Sequence, residues 1–132
     1  MYETPYDRFG MLGYQIWRAV RLVVDTGIHS QGWTRDRALA YMREYTALSE
    51  HEIETEVDRY IAWPAQALSY YLGEQAILQA RAKAEKALGP HFNIRAFHDA
   101  VLELGSVPLP VLQARIDRFI AEGGQGPYPE LE

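Results

Sequence analysis

From Phe9 to Gln31 the apolar positions keep a helical rhythm. Phe9, Leu12, Ile16, Trp17, Val20, Val23, Val24 and Ile28 spread over a surface too broad for the one-sided stripe of an ordinary surface helix. The pattern predicts a buried helix, beginning near Tyr6 or Asp7 behind Pro5 and ending between Thr26 and Gly32, where Gly27 and Gly32 weaken helical order. A narrow polar stripe interrupts that surface. Within the segment RLVVDTGIH, Arg21, Asp25 and His29 recur every four residues, and Arg18 and Tyr14 extend the line toward the N-terminus. At about 3.6 residues per turn these side chains stack one above another. No lysine and no glutamate lies between Phe9 and Gln31, so the stripe is not a generic solvated face; it pairs internally or lines a cavity.

Further along, Thr34 stands as an N-cap ahead of RDRALAYMREYTAL, in which Ala38, Leu39, Met42 and Tyr45 keep helical spacing. Ser49 and Glu52 form a capping-box pattern for a third helix. That helix runs to Pro64, which lacks an amide proton and pushes Trp63 out of the α region, so a kink or break is expected. The segment AQALSYYLGEQAILQARAKAEKALG is strongly helix-forming and stops at Gly89-Pro90, with Arg81, Lys83, Glu85 and Lys86 marking a solvated face. Asn93 caps a short helix that Gly105 ends, and Pro108 or Pro110 opens a last one. No strand-like alternation and no fixed-period repeat occurs. The expected fold is all-α, with about six helices in an irregular, mostly antiparallel bundle. Residues 1–122 are expected to form a single domain and residues 123–132 a flexible tail.

A chain of 132 residues is one domain in length, and its 48% hydrophobic and 23% charged composition fits a soluble globular protein. The net charge of −5 speaks against nucleic acid as a partner, since phosphates call for a basic face. Zero cysteines remove disulfides, thiolate catalysis and cysteine-based zinc sites together. No apolar run approaches the ~20 residues of a membrane span. The opening MYETPYDRFG has no basic region followed by an apolar one, so no signal peptide is expected in this chain and the compartment stays unknown.

Metal chemistry is the first candidate to weigh. A helical zinc peptidase site needs HExxH, which sets two imidazoles on one face beside a glutamate that activates water. The run His51-Glu52-Ile53-Glu54-Thr55 has threonine in place of the second histidine, and no two histidines stand four apart. No metal site is expected; His51, Glu52, Glu54 and Glu56 suit the acidic first turns of a helix. The stripe of the first helix leaves two readings open. Either Asp25 pairs with Arg21 one turn away while His29 settles against the C-terminal dipole of its own helix, or the stripe faces a polar cleft. Tyrosine is the third feature: of nine in the chain, Tyr60, Tyr70 and Tyr71 flank Pro64. A phenolic hydroxyl there can donate to a developing oxyanion, or serve as a core residue with one wet end.

Three segments carry a family resemblance: YDRFGMLGYQIWRAVRLVVDTGIHSQGWTRDRALAYM, LSEHEIETEVDRYIAWPAQALSYYLGEQAI and IRAFHDAVLELGSVPLPVL. Together they resemble the C-terminal portion of the bacterial domain-of-unknown-function 885 family, over residues Pro5 to Ile120 or so, and the pairing of RLVVDTGIH with a later PxQALSYxLG is the specific part. Members of that family are longer and mostly helical. They resemble zinc-dependent peptidases whose metal ligands lie upstream, in an HExxH-like helix and a later EGWA-type helix, neither of which occurs here. The resemblance implies a hydrolase-like cleft to which Arg21, Asp25, His29 and Tyr70 contribute, with Arg18, Tyr60 and Gln66 as secondary candidates. It places Tyr70 to bind substrate or stabilise an oxyanion, and implies zinc and a peptide-like substrate only in a full-length relative. Two departures stand out: the family pattern PGQALSYKLG has glycine where this chain has Ala65, and lysine where it has Tyr71.

The expected function is a non-catalytic C-terminal module of a zinc metallopeptidase-like hydrolase, with no catalytic residue in isolation and a missing N-terminal metal-binding half as its partner. The alternative is a stand-alone helical interaction protein that dimerises through apolar surface left uncovered. A small enzyme built on Asp25 and His29 lacks both a nucleophile and an anchoring site.

Overall fold

The computed structural model describes residues 2–129. Its first helix is launched by Thr4. The Thr4 hydroxyl accepts from the Asp7 amide at 3.1 Å while the Asp7 carboxylate takes the Thr4 amide at 2.9 Å, a reciprocal cap that starts α1 (Pro5–Gln31) with proline in its first turn. Gly32, at φ 66°, closes α1 in the left-handed conformation that glycine adopts without penalty. Thr34 then caps α2 (Arg35–Tyr45), and Ser49 and Glu52 form the expected capping box at the head of α3 (Glu50–Ala62). After the break at Pro64, a 3-10 turn (Gln66–Leu68) leads into α4 (Ser69–Leu88). A second 3-10 turn (Gly89–His91) precedes α5 (Ile94–Leu102), where the Asn93 side chain accepts from the Arg95 and Ala96 amides; α6 (Leu109–Ala121) follows Pro108. The protein is all-α: the described residues form six α-helices and no strand. Among them no helix is long and apolar enough to cross a membrane.

Internal packing divides the chain after Leu72 into two compact units. In the first, Val20 and Val24 of α1, Ala38, Leu39 and Met42 of α2, and Ile53, Val57 and Tyr60 of α3 bury together with Ala67. In the second, Ala80 and Ala84 of α4 and Ala96 and Ala100 of α5 are small enough to let Phe97, Ile116 and Phe119 fill the centre, the two phenylalanine rings meeting edge to face at 6.2 Å. The stretch 1–122, expected as one domain, thus holds two cores. The head of the expected tail is tied down: the Gly123 amide donates to Ile120 at 3.1 Å and the Gly124 amide to Phe119 at 2.9 Å, with Gly124 buried against Leu88. Residues 130–132 of that tail lie outside the described residues.

Burial of α1 departs from its sequence pattern. Its buried residues are Val20, Arg21, Val24, Asp25 and Gly27, all in the C-terminal half. Phe9, Leu12 and Ile16 are 65%, 56% and 44% exposed. Helical spacing reports that a face is apolar, not what covers it, and nothing in the first unit covers this half.

Gly27 marks where the chain returns against α1. A Cβ there would come within 2.4 Å of the Trp33 indole, which is itself stacked near Tyr41 at 5.4 Å and holds the Arg37 guanidinium 4.2 Å from its ring centre. Gly27→Ala gains up to ~1 kcal/mol of helix propensity. It also forces that indole aside, so a net loss of about 1–2 kcal/mol is expected, read as a lower urea midpoint at unchanged slope.

Candidate functional site

A continuous helix through residues 60–66 would give the Tyr60 carbonyl a donor from residue 64 and the Ile61 carbonyl a donor from residue 65. Residue 64 is proline, and it has no N–H to give. The chain turns instead: Trp63 leaves the helix at φ −133°, ψ 74°, and Ala65 takes φ 68°, ψ −13°. The polar stripe of α1 supplies what the break removes. His29 Nε2 lies 2.9 Å from the Tyr60 carbonyl, and since a carbonyl only accepts, Nε2 carries the hydrogen and donates. The Ala65 amide donates to both oxygens of Asp25, at 3.2 and 3.0 Å. Arg21 Nη2 donates to Gln66 Oε1 at 3.0 Å, and Arg59 Nη1 donates to the same oxygen at 2.7 Å. Three stacked side chains of α1 therefore satisfy three consecutive points of the turn.

Around Arg21 the site is aromatic. Its guanidinium carbon lies 5.8 Å from the Trp17 ring centre, 5.5 Å from Tyr60 and 5.4 Å from Tyr70, all within cation–π range. Arg18 lies 5.3 Å from the same Tyr70 ring and 5.5 Å from Tyr14, and its Nη1 donates to the Tyr14 carbonyl at 3.2 Å. Tyr60 is buried, its hydroxyl donating to Glu56 at 2.7 Å and accepting from Trp17 Nε1 at 3.1 Å. Burial, then the bond to Glu56, pushes its phenol pKa well above the ordinary value. Burial also works to raise the Glu56 carboxyl, but the hydrogen bonds from Arg59, at 2.6 and 3.1 Å, and from Tyr60 outweigh it and hold Glu56 below 4.5.

The structure thus brings Arg18, Arg21, Asp25, Tyr60, Gln66 and Tyr70 into one cluster, with His29 at its edge on the Tyr60 carbonyl. The internal-pairing reading of the stripe needs revision in detail. Asp25 takes a backbone amide of the turn rather than Arg21, and His29 meets the C-terminal end of α3 rather than that of its own helix. Glu56, Arg59 and Trp17 belong to the cluster as well. Their signal in the sequence is the spacing of Glu56 three and four residues ahead of Arg59 and Tyr60, which puts all three on one side of α3. Zinc does not fit the stripe: Asp25 and His29 Nε2 are both committed to the backbone. Among the described residues no group of three or more histidine, aspartate or glutamate side chains is placed to hold a metal ion.

The same geometry makes the departure at Ala65 a costly one. A residue with a Cβ pays roughly 1–2 kcal/mol in the left-handed region, and glycine pays none. A family model described as bacterial protein of unknown function (DUF885) matches residues 1–116. The chain belongs to this family. The chain is also similar to a crystal structure from Colwellia psychrerythraea, of a candidate lipoprotein, with a TM-score of 0.89 and 45% sequence identity. The similarity covers 92% of this chain and 21% of that one, so the chain spans about a fifth of that protein's length. No curated protein matches it.

Two measurements test the turn. Ala65→Gly is expected to raise stability by roughly 0.5–1 kcal/mol, against the usual sign for glycine, and His29→Ala to lower it by about 1 kcal/mol by stripping the Tyr60 carbonyl of its donor. Both are read from urea unfolding. The depressed Glu56 pKa sets a pH dependence: its contribution is fully present above the unfolded value of 4.5 and is lost as pH falls through the lower folded value. Glu56→Gln is therefore expected to flatten the fall of stability below that pH; an acid limb as steep as that of the parent would show that the carboxylate contributes nothing there.

Proposed function

We propose that this chain is a non-catalytic C-terminal module of a zinc metallopeptidase-like hydrolase, lending substrate-cleft residues to a remainder that holds the metal. The observation that carries the reading is the bare half of α1. Tyr6, Phe9, Leu12, Tyr14 and Ile16 are between 44% and 88% exposed, on a helix whose other half is firmly packed. Apolar surface of that extent on one rod calls for a covering partner. The similar protein from Colwellia psychrerythraea has nearly five times the matched length, which supplies a remainder large enough to be that partner. Arg18 and Tyr70 lie next to the bare half, at the edge between packed and uncovered helix, where side chains from two pieces of polypeptide would meet a substrate. In this reading Arg21, Asp25 and His29 hold the turn that aims Tyr70, and Tyr70 binds substrate or steadies an oxyanion.

The exposed face equally suits a second copy of the chain, which is the stand-alone dimerisation reading. One experiment separates them. The Colwellia psychrerythraea protein without its matched 21% is expressed alone and with this chain. The module reading expects a one-to-one complex and zinc-dependent peptide cleavage only when both are present. A stable homodimer of this chain by light scattering, with no complex and no cleavage, would transfer the case to dimerisation.

A further inference from the structure

Four exposed cations of this protein have carboxylate partners: Arg35 pairs with Asp58, Arg43 with Glu50, Arg81 with Glu85 and Lys83 with Asp117. Arg21, only 6% exposed, has no carboxylate in ion-pair contact among the described residues. Its Nη2 goes to the neutral amide oxygen of Gln66, and its buried Nε meets no acceptor. The lack is costlier at Arg21 than at a surface arginine, because water screens an unpaired surface charge and does nothing for a buried one. The carboxylates of the cluster are committed elsewhere, Asp25 to the Ala65 amide and Glu56 to Arg59 and Tyr60. Three guanidinium groups, those of Arg18, Arg21 and Arg59, thus share two carboxylates. Arg18 brings its charge to the same ring as Arg21, and that ring, Tyr70, is 56% exposed, the open one among the three aromatic neighbours of Arg21.

We propose that Arg18, Arg21 and Tyr70 bind a carboxylate group of a peptide-like ligand. Arg59 already shows the geometry: its Nε and Nη2 grip both Glu56 oxygens side-on, at 3.1 and 2.6 Å. The matching edge of Arg21 has its Nε unfilled, and Tyr70, 5.4 Å from the guanidinium carbon, is its most exposed ring neighbour. Arg18 supplies a second guanidinium, and the Tyr70 hydroxyl supplies a donor. The peptide-like nature of the ligand rests on the proposed module function; the carboxylate site belongs to this chain alone.

The test uses the intact chain and the NMR signals of its arginine Nε–H groups. It is titrated at constant ionic strength with tetra-alanine bearing a free C-terminus, with the C-terminal amide of the same peptide, and with an amidated peptide containing one glutamate. Saturable movement of the Arg18 and Arg21 signals with a carboxylate-bearing peptide, and none with the plain amide, is the expected result. Saturation by the free acid identifies a chain terminus as the ligand group, and saturation by the glutamate peptide identifies a side chain. Arg18→Gln is expected to weaken binding about tenfold at an unchanged melting temperature, so the outcome does not depend on whether an Arg21 variant folds. No saturation, equal shifts with the plain amide, or an unaffected Arg18→Gln would overturn the proposal. Complementation of the larger remainder without carboxylate binding would remove this site and leave the module, and carboxylate binding without complementation would do the reverse.

Discussion

Pro64 withholds one hydrogen bond, and the first unit is organised around that deficit. A helix that meets proline loses a donor four residues back, and the chain beyond it must find new partners or leave polar backbone groups bare in a half-buried place. Here the partners come from a different helix. His29, Asp25 and Arg21 answer Tyr60, Ala65 and Gln66 in turn, so the register of α1 and the shape of the turn define each other. Rotating α1 by a single residue would carry all three side chains off together.

A second consequence follows for Arg21. The Trp17, Tyr60 and Tyr70 rings take the place of water around its guanidinium, and their negative faces offset part of what desolvation costs. The Tyr60 hydroxyl is spent on both sides, and Glu56 is gripped by Arg59 and Tyr60. These bonds around Tyr60 and Glu56 resist repacking, since each member removed leaves a buried partner unsatisfied. Rigidity under Arg21, a half-buried Arg18 and an exposed Tyr70 are what a binding edge requires: a fixed base and a reachable rim.

The signals that act within a few residues were legible in the sequence. Thr34, Ser49 with Glu52, and Asn93 cap the helices they stand before, because a cap needs only its own next turn. Pro64 breaks its helix for the same local reason. The stripe is visible too, as charges without lysine or glutamate around them, but its partners lie 31 to 45 residues away along the chain, and all three contacts are made to backbone or side-chain amide groups that spacing cannot reveal. Glu56 was hidden behind its acidic neighbours, which cap α3 while it turns toward Tyr60. The bare half of α1 is hidden in the sequence for a plainer reason: an apolar helix face looks the same whether its cover is in the chain or outside it.

The imidazole of His29 stands in for an amide hydrogen that Pro64 cannot supply, which makes the two residues epistatic. Replace Pro64 by alanine and the helix recovers its own donor; the histidine then has no duty at that carbonyl, and its loss becomes silent. In any lineage that sheds this proline, His29 is free to drift, and the bend that carries Tyr70 to the arginines goes with it.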